Sequence, residues 1–451
     1  MKRWLMSVGI IVVLFSFSSA SLILAKGIFI RPGTRANSMG GAYVGIADDL
    51  TAIYWNPAGL EQLDGSGVEI SAFYTAAKAK SNSSLMNAAA PDVEDGDFPI
   101  FNLYAVLGQP NAEPTEYQSK EFKTRALLPF VAGYTRVKGV ILALGFYAVG
   151  GGGGKWEDSV KGVLVPTDDI IASIDGSYGF MVGNISAAKE INRKLSLGLG
   201  VNWIYMIDEA KAKKEYQASA GSPLGNYNVL VDKNASGSGM EVMGGVLYEP
   251  TEKLRVGFVI RSGATLKLKG EAKTKITGLS ALSGGLMPDV DYETDYDQNY
   301  AYPLTYGLGA SYEPMDFLTL ALGAEMIYYS VMKDDIDYED ELAGTFDDVN
   351  EKKEWKDTTR VYLGAECRIN EKLSFQGGLQ TDPVSSPKDK LTLLNIEQYH
   401  LTSLSLGARY KMGVFQIDVG YIHSFSDNPE KDGREYKYPL DSYRFGVGYR
   451  F

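Results

Sequence analysis

The chain has 451 residues, a formal charge of −12, 45% hydrophobic residues, 50 Gly, 29 Tyr and a single cysteine, Cys367. The acidic balance excludes nucleic acid as a partner, because a phosphate backbone needs a basic face. One cysteine leaves no intramolecular disulfide to form.

Residues 1–25 read as an export signal: Lys2 and Arg3 precede an apolar run from Leu5 to Phe17, with cleavage expected after Ala20 or Ala25. Beyond it no stretch reaches the roughly 18 apolar residues of a membrane helix. An exported protein without such a helix is either soluble or a β-barrel.

Residues 26–67 come next, rich in Gly and Ala, with turn signals at Arg31 to Gly33 and Asp48-Asp49. They are too short for an independent domain, so the expectation is a plug packed inside whatever follows. From about Val68 to Phe451 the pattern changes to strict alternation. Leu195, Leu197, Leu199, Val201, Trp203, Tyr205 and Ile207 share one phase; Ser196, Gly198, Gly200 and Asn202 share the other. Phe415 to Tyr421 and Tyr443 to Phe451 repeat it. An apolar face with aromatics near its ends, opposite a face of small and polar residues, suits a wall between lipid and a crowded lumen.

Six short connections, at Lys138-Gly139, Asn192-Arg193, Glu249 to Lys253, Glu313 to Asp316, Asn370-Glu371 and Lys411 to Gly413, alternate with seven long polar stretches at about 81–122, 151–175, 209–236, 270–298, 333–354, 383–396 and 427–438. This predicts an all-β fold: a 14-stranded antiparallel transmembrane β-barrel over 68–451 in a bacterial outer membrane. The terminal aromatic, Phe451, is the kind of mark that barrel-assembly machinery reads.

The segment behind the signal resembles the hatch of the FadL family of outer-membrane transporters for hydrophobic compounds. Arg35-Ala36, Met39-Gly40-Gly41-Ala42, Ala47-Asp48-Asp49 and Asn56-Pro57-Ala58-Gly59-Leu60 carry the resemblance, followed by Leu247 to Pro250, Ser311 to Pro314 and Leu363 to Glu366. It implies a hatch motif at Gly40, Gly41, Asp48, Asp49, Asn56, Pro57 and Ala58. It also implies passive transport of hydrophobic molecules, foremost long-chain fatty acids, captured at apolar external loops and released sideways through a break in the third strand. Gly150, Gly151, Gly152, Gly153 and Gly154 lie where that strand would fail, since glycine weakens pairing and tolerates bulges; the alternative is the start of a flexible loop.

Arg261 and Arg360 fall on the lumen phase with Glu325. They are candidates to meet a ligand carboxylate, or members of a structural ion-pair network. Loop residues Leu224, Tyr227, Val229, Leu230, Leu279, Leu282, Leu286 and Met287 are candidates for capture. The acidic run from Lys333 to Asp348 reads as a solvated loop, with lipopolysaccharide bridging as the lesser alternative. His400 and His423 lack a nucleophile motif and further metal ligands, so neither enzyme, metal nor cofactor is expected. Partners are a hydrophobic small molecule, outer-membrane lipid and lipopolysaccharide, and the assembly machinery, with the barrel a monomer. The competing functions are a general diffusion porin and a structural or adhesion barrel.

Overall fold

The computed structural model describes residues 31–81, 120–161, 167–222, 225–278, 288–342, 346–385, 400–427, 430–431, 434–437 and 439–451, with Ser280, Gly285 and Pro387 singly. The signal and its cleavage site, and Leu224, Leu279, Leu282, Leu286 and Met287, lie outside them.

A single antiparallel sheet closes on itself. Its first six strands are β1 Ser66–Ser81, β2 Lys120–Val137, β3 Val140–Lys161, β4 Asp169–Asn192, β5 Leu195–Gln217 and β6 Tyr227–Thr251. The next four wall strands are each interrupted once. β7 Leu254–Arg261 continues as β8 Ala264–Thr277, and β9 Val290–Tyr302 runs into β10 Thr305–Met315. β11 Leu318–Ile327 is followed by β12 Lys333–Tyr338, and β13 Val349–Lys352 by β14 Thr358–Arg368. β15 Leu373–Asp382, β16 Leu401–Met412 and β17 Phe415–Ser426 follow, then the small pair β18 Glu430–Lys431 and β19 Arg434–Lys437. β20 Leu440–Arg450 closes the ring against β1, from Gly67↔Arg450 to Ala77↔Leu440. This makes fourteen wall strands, and closure pairs the edges that lipid could not satisfy.

Alternation decides which face meets lipid. Leu199 is 68% exposed and Ile185 65%, while their neighbours Gly198, Gly200, Asn184 and Ser186 are buried toward the lumen. The β2–β3 hairpin turns on Lys138 and Gly139, both with positive φ (49° and 78°). That is the geometry matching strand twist in a two-residue connection.

The external stretches differ from the expectation of long loops. β4 runs 24 residues, β5 23 and β6 25. Residues 209–217 and 227–236 are paired strand, and so are 151–161, in which Gly150 to Gly154 sit. Above the membrane a strand needs no apolar outer face, so both phases become polar and the sequence resembles loop.

Inside the ring lies the amino-terminal hatch: α1 Thr34–Ser38, α2 Ala52–Trp55 and a 3-10 turn, Pro57–Gln62. These elements are too short to stand alone. Trp55, Tyr43, Met39, Ile46, Ile53 and Leu60 are fully buried between hatch and wall.

Candidate functional site

The hatch motif residues have distinct tasks. Gly40 and Gly41 adopt positive φ (64° and 81°), and a side chain on Gly40 would strike the backbone of Leu363 and Leu379 at about 2.6–2.7 Å. The Asn56 side chain accepts from Ala58 N (3.2 Å) and donates to Val44 O (2.9 Å) and to Val246 O of β6 (3.0 Å), stitching hatch to wall. Pro57 opens the 3-10 turn, where a missing N–H costs nothing. Asp49 caps Thr51 through its backbone N (3.1 Å) and hydroxyl (2.5 Å).

The wall is cut to receive this backbone. A Cβ on Gly198 would overlap Pro57-Ala58, one on Gly245 would overlap Asn56, and one on Gly257 the Val44 carbonyl. Small lumen-phase residues, read from the sequence as a crowded interior, thus form the seat of the hatch.

Charges tie one side of it down. The Arg35 guanidinium donates to Glu366 on β14 (Nη2–Oε2 2.5 Å) and to Asp48 and Tyr43. Glu366 also accepts from Ser374 (2.8 Å) and Gln376 (2.7 Å). Arg409 on β16 pairs with Asp418 (2.6 Å) and reaches Asp49 (3.2 Å). Burial pushes the Asp48 carboxyl up, but Arg35, with Arg409 behind it, more than reverses this and holds it well below the usual carboxylate range.

The two arginine candidates join at Glu325, which stands opposite Arg360 in register. Glu325 receives Arg31 (3.3 Å), Arg261 (3.1 Å) and Arg360 (3.8 Å), and the Tyr362 hydroxyl (2.9 Å). Arg360 is further bound to Asp382 (2.6 Å), and Arg261 donates to the Tyr54 carbonyl and lies over its ring. This is a dense ion-pair network. Arg31, Tyr54 and Asp382 were not distinguishable in sequence from other hatch or loop polars, because only the barrel's closure brings them together.

Against this network lies a small chamber of about 30 Å³. Tyr54, Tyr147, Val149, Val182, Ile204 and Tyr302 supply its apolar lining; Asn202, Glu241, Arg261 and Glu325 supply the polar part. Glu241 and Asn202 were missed from sequence: each is one polar residue among many on the lumen phase.

Beside the chamber the wall changes character. β2 pairs with β3 from Val137↔Val140 to Phe130↔Tyr147, and among the described residues no pair continues above it. β3 nevertheless runs on to Lys161, paired there with β4 among the described residues, after a register shift between Ala148 and Gly150. Gly151 sits at φ 155°. Phe73, Leu128 and Ala148 make a small apolar cluster across this seam, with Met181 against it. Just below, hatch residue Ile53 presses into the wall at Gly145. On the lipid side of that point a groove of about 700 Å³ is floored by Gly133, Gly145 and Gly183 and rimmed by Leu144, Phe146 and Trp203.

The acidic run is also structured. Asp334 binds Lys353 (2.9 Å), Asp335 binds Lys333 (2.7 Å), and β12 and β13 pair through it. His423 meets Asp441 (2.8 Å), whereas the His400 backbone N donates to Asp427 (2.9 Å), so the two histidines serve different neighbours. Tyr227 and Val229 are buried in β6 rather than offered to solvent, with Tyr227 stacked on Tyr216 at 5.1 Å.

The chain matches the family described as outer membrane protein transport protein (OMPP1/FadL/TodX) over residues 17–445. Outer membrane protein P1 of Haemophilus influenzae is 24% identical over 273 residues, 53% of this chain and 54% of the relative, so the chain spans about half the length of that curated relative. Among solved structures, a Pseudomonas aeruginosa FadL homologue superposes with a TM-score of 0.70 at 15% identity, covering 94% of this chain and 100% of that one. The Pseudomonas putida toluene transporter TodX gives 0.67 at 13%, covering 93% and 98%.

Proposed function

Since the chain belongs to the OMPP1/FadL/TodX family of outer membrane transport proteins, we propose that it carries hydrophobic molecules passively across the outer membrane and releases them sideways through the β2–β3 seam. One observation carries this reading: pairing between β2 and β3 stops at Phe130↔Tyr147, beside a chamber lined by Tyr147 and Val149. A ligand entering from outside reaches that chamber above the hatch, then leaves between Leu128 and Ala148 into the bilayer. Gly150 to Gly154 belong to the unpaired edge of the exit. The apolar part of the chamber lining, Tyr54, Tyr147, Val149, Val182, Ile204 and Tyr302, gives a poorly soluble molecule a surface to follow.

A water-filled diffusion porin is disfavoured because the lumen at hatch height is occupied by buried Trp55, Tyr43 and Leu60. Long-chain fatty acids and monoaromatic hydrocarbons both satisfy the apolar route; they differ at the head group. The test is uptake in a host lacking its own fatty-acid channel, supplied with oleate and with toluene. Gain for at least one is expected; gain for neither overturns the transport reading.

A further inference from the structure

Two residues that line the chamber beside the Glu325 network each carry a buried polar atom without a hydrogen-bond partner among the described residues: Glu241 Oε1 and Arg261 Nε. Glu241 is 2% exposed, and its other oxygen accepts from Asn202 Nδ2 (2.6 Å), which fixes the carboxylate. Asn202 is itself held by Asn184 (2.6 Å). Arg261 is oriented by Thr305 (3.3 Å), Glu325 (3.1 Å) and the Tyr54 carbonyl. Met243 on β6 faces Arg261 in register, so Glu241 stands one same-face step above it.

An orphan acceptor and an orphan donor on residues that line one part-apolar, part-polar chamber call for a group that both donates and accepts. The space, about 30 Å³, is of the size of one water or hydroxyl. Among the described residues the charges around it balance: Arg31, Arg261 and Arg360 stand against Glu325, Asp382 and Glu241. An ionised carboxylate would therefore find no surplus cation and would face the Glu241 carboxylate at low dielectric. We propose that this chamber is a head-group subsite for neutral, hydroxyl-bearing hydrophobes, with Glu241 accepting from the ligand hydroxyl and Arg261 Nε donating to it. A carboxylic acid would enter only protonated. The proposal rests on the transport reading and narrows its substrate class.

The test uses three eight-carbon probes in the uptake-deficient host: 1-octanol, octanoate and octane. The native protein should favour octanol over octanoate by roughly tenfold or more, because the octanoate carboxylate would face Glu241 at low dielectric, and over octane, because octane leaves the site's polar groups unpaired. Glu241→Gln removes the like charge at unchanged shape and should raise octanoate relative to octanol by about tenfold. Glu241→Leu should bring octanol down to the level of octane. The folded-to-unfolded mobility shift on heating in detergent confirms that each variant forms a barrel. Uptake of octane with no octanol preference, a preference for octanoate, or a ratio unmoved by Glu241→Gln would overturn the subsite while leaving transport intact. No uptake of any probe would remove the transport reading and the subsite with it.

Discussion

The hatch is held differently on its two sides. Toward β11–β17 it is bound by charge: Arg31 to Glu325, Arg35 to Glu366 and Asp49 to Arg409, all buried. Toward β3–β7 it is held mainly by shape, with Ile53 against Gly145, Ala58 against Gly198 and Val44 against Gly257; among the polar stitches there are Asn56 to Val246 O, Asn184 to Ile53 O (3.5 Å) and, at the edge of this side, Arg261 to the Tyr54 carbonyl. Ion pairs with partners fixed on two elements resist sliding, whereas apolar contacts onto glycines can part and re-form at small cost. The wall seam lies on the second side. On the proposed route, which passes a hydrophobe sideways through a barrel shut to ions, this division puts the shape-held side of the hatch next to the exit into lipid.

Breaking the charged side should have the largest effect. Glu366→Leu leaves Arg35 buried with one carboxylate fewer, a loss of about 3–5 kcal/mol for a broken buried pair. The hatch should detach, read as ion conductance in planar bilayers and as protease access to residues 31–60. A silent, closed barrel would show that charge does not hold it.

Unseating the shape-matched side comes next. Gly257→Val places a side chain on the Val44 carbonyl, and overpacking of this kind costs roughly 1–3 kcal/mol. Hatch amides near Val44 should exchange faster, with conductance still low because the ion pairs remain. Ile53→Val trims one methyl, about 0.5–1.5 kcal/mol. It should quicken uptake without leak, measured as initial rate against conductance; a leak instead would equate the two sides.

The smallest effect is expected far from both, at the external rim. Asp168 accepts from Tyr216 (2.6 Å), Ser219 N and Oγ (2.7 and 2.6 Å) and Ser222 (2.6 Å). Its removal from water raises its pKa, and these bonds, led by Ser219, outweigh that and hold it below the usual carboxylate range. A depressed folded value means that its stabilisation is present above the unfolded pKa of about 4 and is lost as pH falls through the folded one. Amide protection at 216–222 should therefore be flat from neutral pH to about 4 and decline only in stronger acid. Asp168→Asn should lower protection at neutral pH and leave uptake unchanged.

Much of the barrel was legible because lipid imposes a rule on every second residue. Leu195 to Ile207 and Tyr443 to Phe451 announce their outward faces without any partner being known. The external strand extensions were not legible, since Lys211 to Glu215 and Lys267 to Lys275 alternate in size and charge with solvent on one side and no lipid constraint. The site was legible only in part. Arg261, Glu325 and Arg360 share a phase and a height, which depend on counting from turns. Glu241, Arg31 and the Arg409–Asp418–Asp49 group depend on how the hatch lies across the lumen, and nothing local to those residues encodes it. The glycine run shows the same limit: composition suggested a weak place, whereas its pairing with β4 and not with β2 among the described residues is a property of the closed sheet.

The central claim is that ligand leaves through the β2–β3 seam, and pinning that seam tests it most directly. Cysteines at Leu128 and Ala148, which pack together across it, can be bridged by a short thiol cross-linker in a Cys367→Ser background, with a matched pair across β15 and β16 at Gly377 and Leu406 as control. Uptake should fall to background when the seam is bridged and return when a reducible linker is cleaved, with the control pair unaffected. Full uptake through a bridged seam would contradict the account.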